Sequence, residues 1–296
     1  MTLVIECPVC NWQPDKNASW RCSCGHSWNT FETKGECPKC NTQWQTTGCP
    51  SCGSSSPHNN WYVNNKTSTT ADTDEISELT GRKEKLEARL ILLGIRDYKV
   101  SYLPYMDFTK EDFQNPYDVG CRLIILYAVS YSVHNLDDRP QIIGWLKKEN
   151  LWDKLSNNEK DFLNVPIPDE NILLDLSWKL ESSLLLGWVL NLFDNIHDIT
   201  IEESEEEMEI FEKNIPELGG ATKDFLNNLR FRRLEEIYEE TLLNELVTTY
   251  FRDLHFNSKP DETHINRMIS FERHQTLNWV RRFQGIDDWD NTDTST

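Results

Sequence analysis

The chain has 296 residues and is 38% hydrophobic, enough for one large domain or two modest ones with a real core. Its 30 Lys and Arg stand against 49 Asp and Glu, and the net charge of −19 repels phosphate backbones and anionic bilayers, which disfavours nucleic acid and membrane surfaces as partners. The longest apolar stretch, 172–193, is broken by Asp175, Lys179 and Glu181, and no basic-then-apolar leader opens the sequence, so the expectation is a cytoplasmic chain without a membrane segment.

The N-terminal 62 residues hold eight of the nine cysteines: Cys7, Cys10, Cys22, Cys24, Cys37, Cys40, Cys49 and Cys52. They fall into CxxC, CxC, CxxC and CxxC pairs, the spacing with which thiolates grip a tetrahedral metal ion. Pro8, Pro38 and Pro50 set tight turns, and Gly25 and Gly53 supply positive φ just after a ligand. A disulfide framework is the bland alternative, but a CxC pair bridges badly and chelates well. Two structural zinc ions are therefore expected, although iron also occupies four-thiolate sites. The spacing favours sequential grouping, with Cys7, Cys10, Cys22 and Cys24 on one ion and Cys37, Cys40, Cys49 and Cys52 on the other. A cross-brace is the alternative. With every position filled by sulfur, the metals have no open site for activating water. Trp12, Trp20, Trp28, Phe31, Trp44, Trp61 and Tyr62 should form small cores beside the metals, and His26 and His58 pack rather than ligate. Lys16, Arg21, Lys34 and Lys39 are balanced by Glu6, Asp15, Glu32 and Glu36, so the whole charge excess belongs to the rest of the chain.

Residues 63–75 are small and polar and mark a linker. From 76 to 296 the apolar period is helical, giving a mainly α protein: a small-β double zinc ribbon followed by an all-α acidic domain. Helices are expected over 75–94, 117–134, 139–149, 156–163, 170–194, 222–228, 232–256 and 262–284, with Pro104, Pro116, Pro140, Pro166, Pro168, Pro216 and Pro260 at the seams.

Within 170–194 an apolar stripe carries Glu181 between Trp178 and Trp188, and within 262–284 a similar stripe carries Glu272. Carboxylates on such faces need cations or donors, and Arg230, Arg252, Arg273 and His274 are the candidates. They serve either an acid/base pocket or a buried network that fixes helix register, and the second is the default. Zinc-protease, hydrolase, dinucleotide, phosphate-loop and di-iron signatures are absent. Cys121 reads as a small core residue. Nine acids and no Lys or Arg lie between Asp194 and Glu212, a solvated, partly disordered helical loop or an acidic face for a basic partner.

The C-terminal run Phe271-Glu272-Arg273-His274-Gln275-Thr276-Leu277-Asn278-Trp279, followed by Trp289-Asp290-Asn291-Thr292-Asp293-Thr294, resembles the signature of a bacterial family known as domain of unknown function 4272. Supporting matches are Arg89 to Gly94, Asp118 to Val129 with Arg122, Trp178 with Glu181, Leu185 to Trp188, Leu229-Arg230 and Tyr250-Phe251-Arg252. The resemblance implies a bacterial, cytoplasmic, mainly helical domain over roughly 88–296 and assigns no activity. It also places Glu181, Glu272 and Arg252 in the family's shared frame. Trp289 is expected to fold back onto the domain, with Asp290 or Asp293 accepting backbone or arginine hydrogen bonds. Separately, the segment Trp20 to Phe31 with Ser56 to Tyr62 resembles a bacterial double zinc ribbon attached to varied domains.

The expectation for function is a non-enzymatic zinc-binding interaction or adaptor protein with a basic protein partner, an inhibitor or immunity factor being one form of it. The alternative is a helical enzyme or small-molecule binder using Glu181 and Glu272 with Arg230 and Arg252.

Overall fold

The computed structural model describes residues 2–10, 12–16, 18–65, 70–96 and 112–294, with side chains of 2–4, 63–65 and 70–80 left aside. The chain divides into two compact units, Met1–Ile76 and Ser77–Thr296. Pro104 and residues 66–69 of the expected linker lie outside the described residues, while β6 and α1, defined below, take its two ends.

In the first unit, β1 (Thr2–Ile5) and β6 (Tyr62–Asn65) pair antiparallel, with Ile5 opposite Tyr62, and so bring the two ends of the unit together. Inside that clasp lie two short hairpins, β2 (Trp20–Arg21) with β3 (Ser27–Trp28) and β4 (Thr46–Gly48) with β5 (Ser55–Pro57). Strands this short cannot stand alone. Two small cores support them: Cys7, Phe31, Cys49 and Trp61 in one, Cys22, Trp28 and Cys37 in the other. Trp12, Trp20 and Tyr62 pack half-buried on the first and Trp44 on the second. His58 is buried, stacked 5.0 Å from the Phe31 ring, with Nδ1 at 2.7 Å from Thr47 Oγ1 and Nε2 at 2.8 Å from Tyr62 Oη.

The second unit is helical. Its centre is α2 (Pro116–His134), started by Asn115, whose side chain accepts from the Asp118 amide, and by Pro116 at the first helical position. This helix is apolar nearly all round and packs along α6 (Lys179–Val189). Gly120 permits the approach of the chain after α8 (Lys223–Asn227): a Cβ there would lie 2.2 Å from Leu229 Cδ1. Around this pair stand α3 (Arg139–Lys148), α4 (Asn157–Asn164), α5 (Glu170–Ser177) and α7 (Glu205–Lys213). A second core joins the described part of α1 (Thr70–Leu92) to α9 (Leu234–Phe256) and α10 (Arg267–Val280) through Leu86, Leu90, Leu243, Val247, Ile265 and Ile269.

Three expectations are corrected. The helix expected over 170–194 is two, α5 and α6, broken at Trp178 and ending at Val189. At the break Ser177 Oγ donates back to the Leu174 carbonyl at 2.7 Å, competing with the helical ladder. The last helix begins at Arg267 rather than 262, because Asn266 Oδ1 accepts from the amides of Met268 and Ile269 and caps it there. The acidic run contains a regular helix, α7, opened by a capping box in which Ser204 and Glu207 satisfy each other's amides.

Candidate functional site

The eight N-terminal cysteines form two groups, Cys7, Cys10, Cys49 and Cys52 in one and Cys22, Cys24, Cys37 and Cys40 in the other. The grouping is nested, first pair with fourth and second with third, which corrects the sequential expectation and differs from a cross-brace as well. The physical cause is the β1–β6 clasp, which draws the outer pairs together and leaves the inner pairs to face each other across the intervening turn. Each pair sits on a tight knuckle closed by a backbone hydrogen bond, Cys7 N to Trp12 O, Cys22 N to His26 O, Cys37 N to Thr42 O and Cys49 N to Ser54 O, at 2.8–3.0 Å, and in the last three a second runs back from Gly25, Asn41 and Gly53 to the first cysteine's carbonyl. Gly25, Asn41 and Gly53, each directly after a cysteine ligand, take positive φ of 83°, 56° and 76°. Asn41 is the position that glycine counting misses; asparagine tolerates the left-handed region.

Facing sulfurs are 3.7–3.8 Å apart, as in Cys7 Sγ to Cys52 Sγ and Cys24 Sγ to Cys37 Sγ. Tetrahedral zinc with sulfur ligands at about 2.3 Å sets its ligand atoms about 3.8 Å apart, so the donor set and its spacing fit zinc. Amides aimed at sulfur, from Cys24 onto Cys22 and from Ser54 onto Cys52, draw these two thiols down to about 6, while Cys24 and Cys10 in the same groups are pushed up to about 11, because thiols crowded together without an ion cannot all ionise.

The candidate polar residues of the helical unit fall into separate places. Glu181 on α6 is buried and accepts from Arg273 Nε on α10 at 2.6 Å, while Arg273 Nη2 donates to the His197 carbonyl at 2.8 Å. Its other oxygen, Oε2, lies 2.8 Å from His197 Nε2. Burial opposes ionisation of Glu181, but His197 and the Arg273 guanidinium outweigh it and hold the carboxyl below its ordinary value. Glu272, which precedes Arg273 on α10, is met by Lys179 Nζ at 2.8 Å and by Ser182 Oγ at 2.7 Å; here burial wins and the carboxyl is raised. Arg230 is exposed in a different cleft, beside Phe231 and Arg233. Arg252 donates to the Thr294 carbonyl at 3.2 Å. His274 is buried and neutral, held down to about 4 by burial, and its Nε2 accepts from Asn278 Nδ2 at 2.9 Å.

The C-terminal segment lies against the helices. Trp289 is 6% exposed and packs edge-on against Trp279, and the Arg122 guanidinium stands 5.1 Å over its ring. Asp290 Oδ2 accepts from the Asn158 amide at 3.3 Å, and Asp293 accepts from Gln284 Nε2 at 2.8 Å and, through its carbonyl, from Asn278 Nδ2. Arg122 in turn bonds Glu159 Oε1 and the Lys154 carbonyl, both at 2.6 Å. Burial raises the Cys121 thiol to about 11, the behaviour of a core residue rather than a nucleophile.

Sequence reasoning missed Glu159, His197, Glu203 and Lys179. Ser156-x-x-Glu159 is a capping box legible in the sequence, but its second use, pairing buried Arg122, is a tertiary fact.

A family model matches residues 82–292, most of the helical unit. The chain belongs to the family described as domain of unknown function DUF4272. Neither a curated protein nor a solved structure gives a match. The four-cysteine unit precedes the matched region, and among the described residues no helix is long and apolar enough to cross a membrane.

Proposed function

We propose that this chain is a non-enzymatic interaction protein, in which two structural zinc ions fold the N-terminal unit and the helical unit binds a basic protein. The observation that carries the reading is the exposed acidic run: Asp194, Asp198, Glu202, Glu205, Glu206 and Glu209 face solvent along the approach to and first turns of α7. Lys213 is the one Lys or Arg within the last turn and meets Glu209 at 3.0 Å. Exposed charge of one sign costs self-repulsion and steers an oppositely charged partner. Closed four-thiolate sites leave the metals to folding rather than catalysis, since no ligand position remains for water. An inhibitor or immunity factor that covers a basic functional surface is one form such an activity takes.

The enzyme alternative asked Glu181, Glu272, Arg230 and Arg252 to share one pocket. Glu272 is held by Lys179 and Ser182, Arg230 lines another cleft and Arg252 reaches the C-terminal segment, which favours the network role for Glu181 and Glu272 and leaves Arg230 and Arg252 outside it. The test of the interaction reading is a pull-down from native host extract at low and high salt. A stoichiometric partner released by salt supports it, and a partner held equally at high salt contradicts the charge-steered reading.

A further inference from the structure

The geometry points to a third metal site, in the helical unit and built without sulfur: Glu181, His197 and Glu203 hold a first-row divalent cation. Their ligand atoms all lie within 4.8 Å of one another. Glu181 Oε2 and His197 Nε2 come from side chains 3% and 2% exposed and are 2.8 Å apart, yet neither atom has a hydrogen bond of acceptable geometry. The two atoms meet as a close ion pair outside good hydrogen-bond geometry, so their lost hydration is only partly replaced, and a shared cation would satisfy both. Donors around one ion at about 2.0–2.2 Å stand roughly 3 Å apart when adjacent, close to the 2.8 Å between Glu181 Oε2 and His197 Nε2. Glu203 is half-buried on the irregular stretch before α7.

Supporting residues orient the donors. Arg273 bonds Glu181 through the oxygen not facing His197 and bonds the His197 carbonyl, so a single side chain fixes both deep ligands. Two carboxylates against one guanidinium leave net negative charge for the ion. One imidazole with two carboxylates suits manganese, iron(II) or zinc and is too hard a set for copper(I). Glu181 and Glu203 also border a cavity of about 370 Å³ with Tyr131, His134, Glu202 and Glu212, while Glu181 Oε2 and His197 Nε2 themselves are sealed from solvent.

The site stands apart from the partner-binding reading, and its test fails separately. The full chain, with both four-cysteine groups zinc-loaded, is titrated with manganese(II) chloride and, in a second arm, zinc chloride; bound ion is read by calorimetry, and free manganese by its electron paramagnetic resonance signal. Manganese(II) competes poorly for thiolates, which isolates the oxygen and nitrogen site. The expected result is one further equivalent per chain in at least one arm, weakened tenfold or more by His197→Gln and by Glu203→Gln. Glu203 is half-exposed, so its glutamine variant keeps the fold, checked by its far-ultraviolet dichroism, even if the buried histidine variant does not. No saturable third equivalent in either arm, or one that survives Glu203→Gln unchanged, overturns the proposal.

Discussion

Arg273 on α10 and Glu181 on α6 form a buried ion pair at 2.6 Å, both 2–3% exposed, that ties two helices of the helical unit together. The pair couples α10 to the segment after α6 as well, because the same guanidinium holds the His197 carbonyl. Removing one partner strands the other charge, whereas removing both does not. Arg273→Met is expected to cost about 3–5 kcal/mol, and Glu181→Leu/Arg273→Met together much less than the sum of the singles. Urea denaturation followed by helical dichroism measures both; additive losses would mean the two side chains do not act as a pair.

The second buried pair predicts a different coupling. Arg122 joins Glu159, the Lys154 carbonyl and the Trp289 ring, so it links α2, α4 and the C-terminal segment. Arg122→Met should destabilise by about 3–5 kcal/mol, since Glu159 is left buried without its cation. Trp289→Ala should cost about 3 kcal/mol through lost packing. Proteolysis of the C-terminal segment should accelerate in both variants and stay at the wild-type rate in Arg230→Ala, which changes an exposed residue.

Acid should weaken the helical unit through His274. Burial depresses its folded value to about 4 from an ordinary 6.5, so above 6.5 it is neutral whether folded or unfolded and contributes no pH dependence. Between the two values the unfolded chain takes up the proton and the folded one does not. Stability is therefore lost as pH falls from 6.5 to 4, by roughly 2–4 kcal/mol. His274→Gln should flatten that part of the profile relative to wild type, and equal slopes in wild type and variant would remove His274 as the cause.

Metal removal should separate the two units. Structural zinc contributes on the order of 10–16 kcal/mol to small four-ligand units, more than cores as small as those around Trp61 and Trp28 can replace. A strong chelator is expected to unfold residues 1–62 while helical dichroism stays close to its starting value. Cys10→Ser/Cys52→Ser together should cost about one zinc per chain, read by elemental analysis, because the nested grouping puts both residues on one ion, whereas the sequential grouping would cost two.

Much of this architecture is legible in the sequence, and the failures have physical causes. The eight ligands follow from spacing alone, because closely spaced thiolates have few other uses. Their grouping does not, since it depends on β1 meeting β6 across the whole unit, and Thr2–Ile5 and Tyr62–Asn65 are too short to announce themselves. Helix α2 is written in Asn115 and Pro116, a cap and a first-turn proline. The break at Trp178 is not, because it interrupts an apolar stripe that continues in register by sequence alone. Glu181 and Glu272 stand out by periodicity, but Glu272 is met by Lys179, a residue whose long side chain reaches inward from a position that reads as solvent-facing. His197 sits in an acidic run where charge dominates the pattern, and only the packing of that run against α10 brings it to Glu181.

The central claim is that the acidic run of the helical unit binds a basic protein partner, and one comparison tests it most directly. Wild-type chain and the variant Glu202→Gln/Glu205→Gln/Glu206→Gln/Glu209→Gln, all at exposed positions, are used side by side to capture proteins from native host extract at low ionic strength, with stoichiometry read by quantitative mass spectrometry. The account predicts a stoichiometric basic partner on the wild type that is depleted at least tenfold on the variant and by added salt. A partner retained equally by the variant, or no stoichiometric partner on either protein, would contradict it.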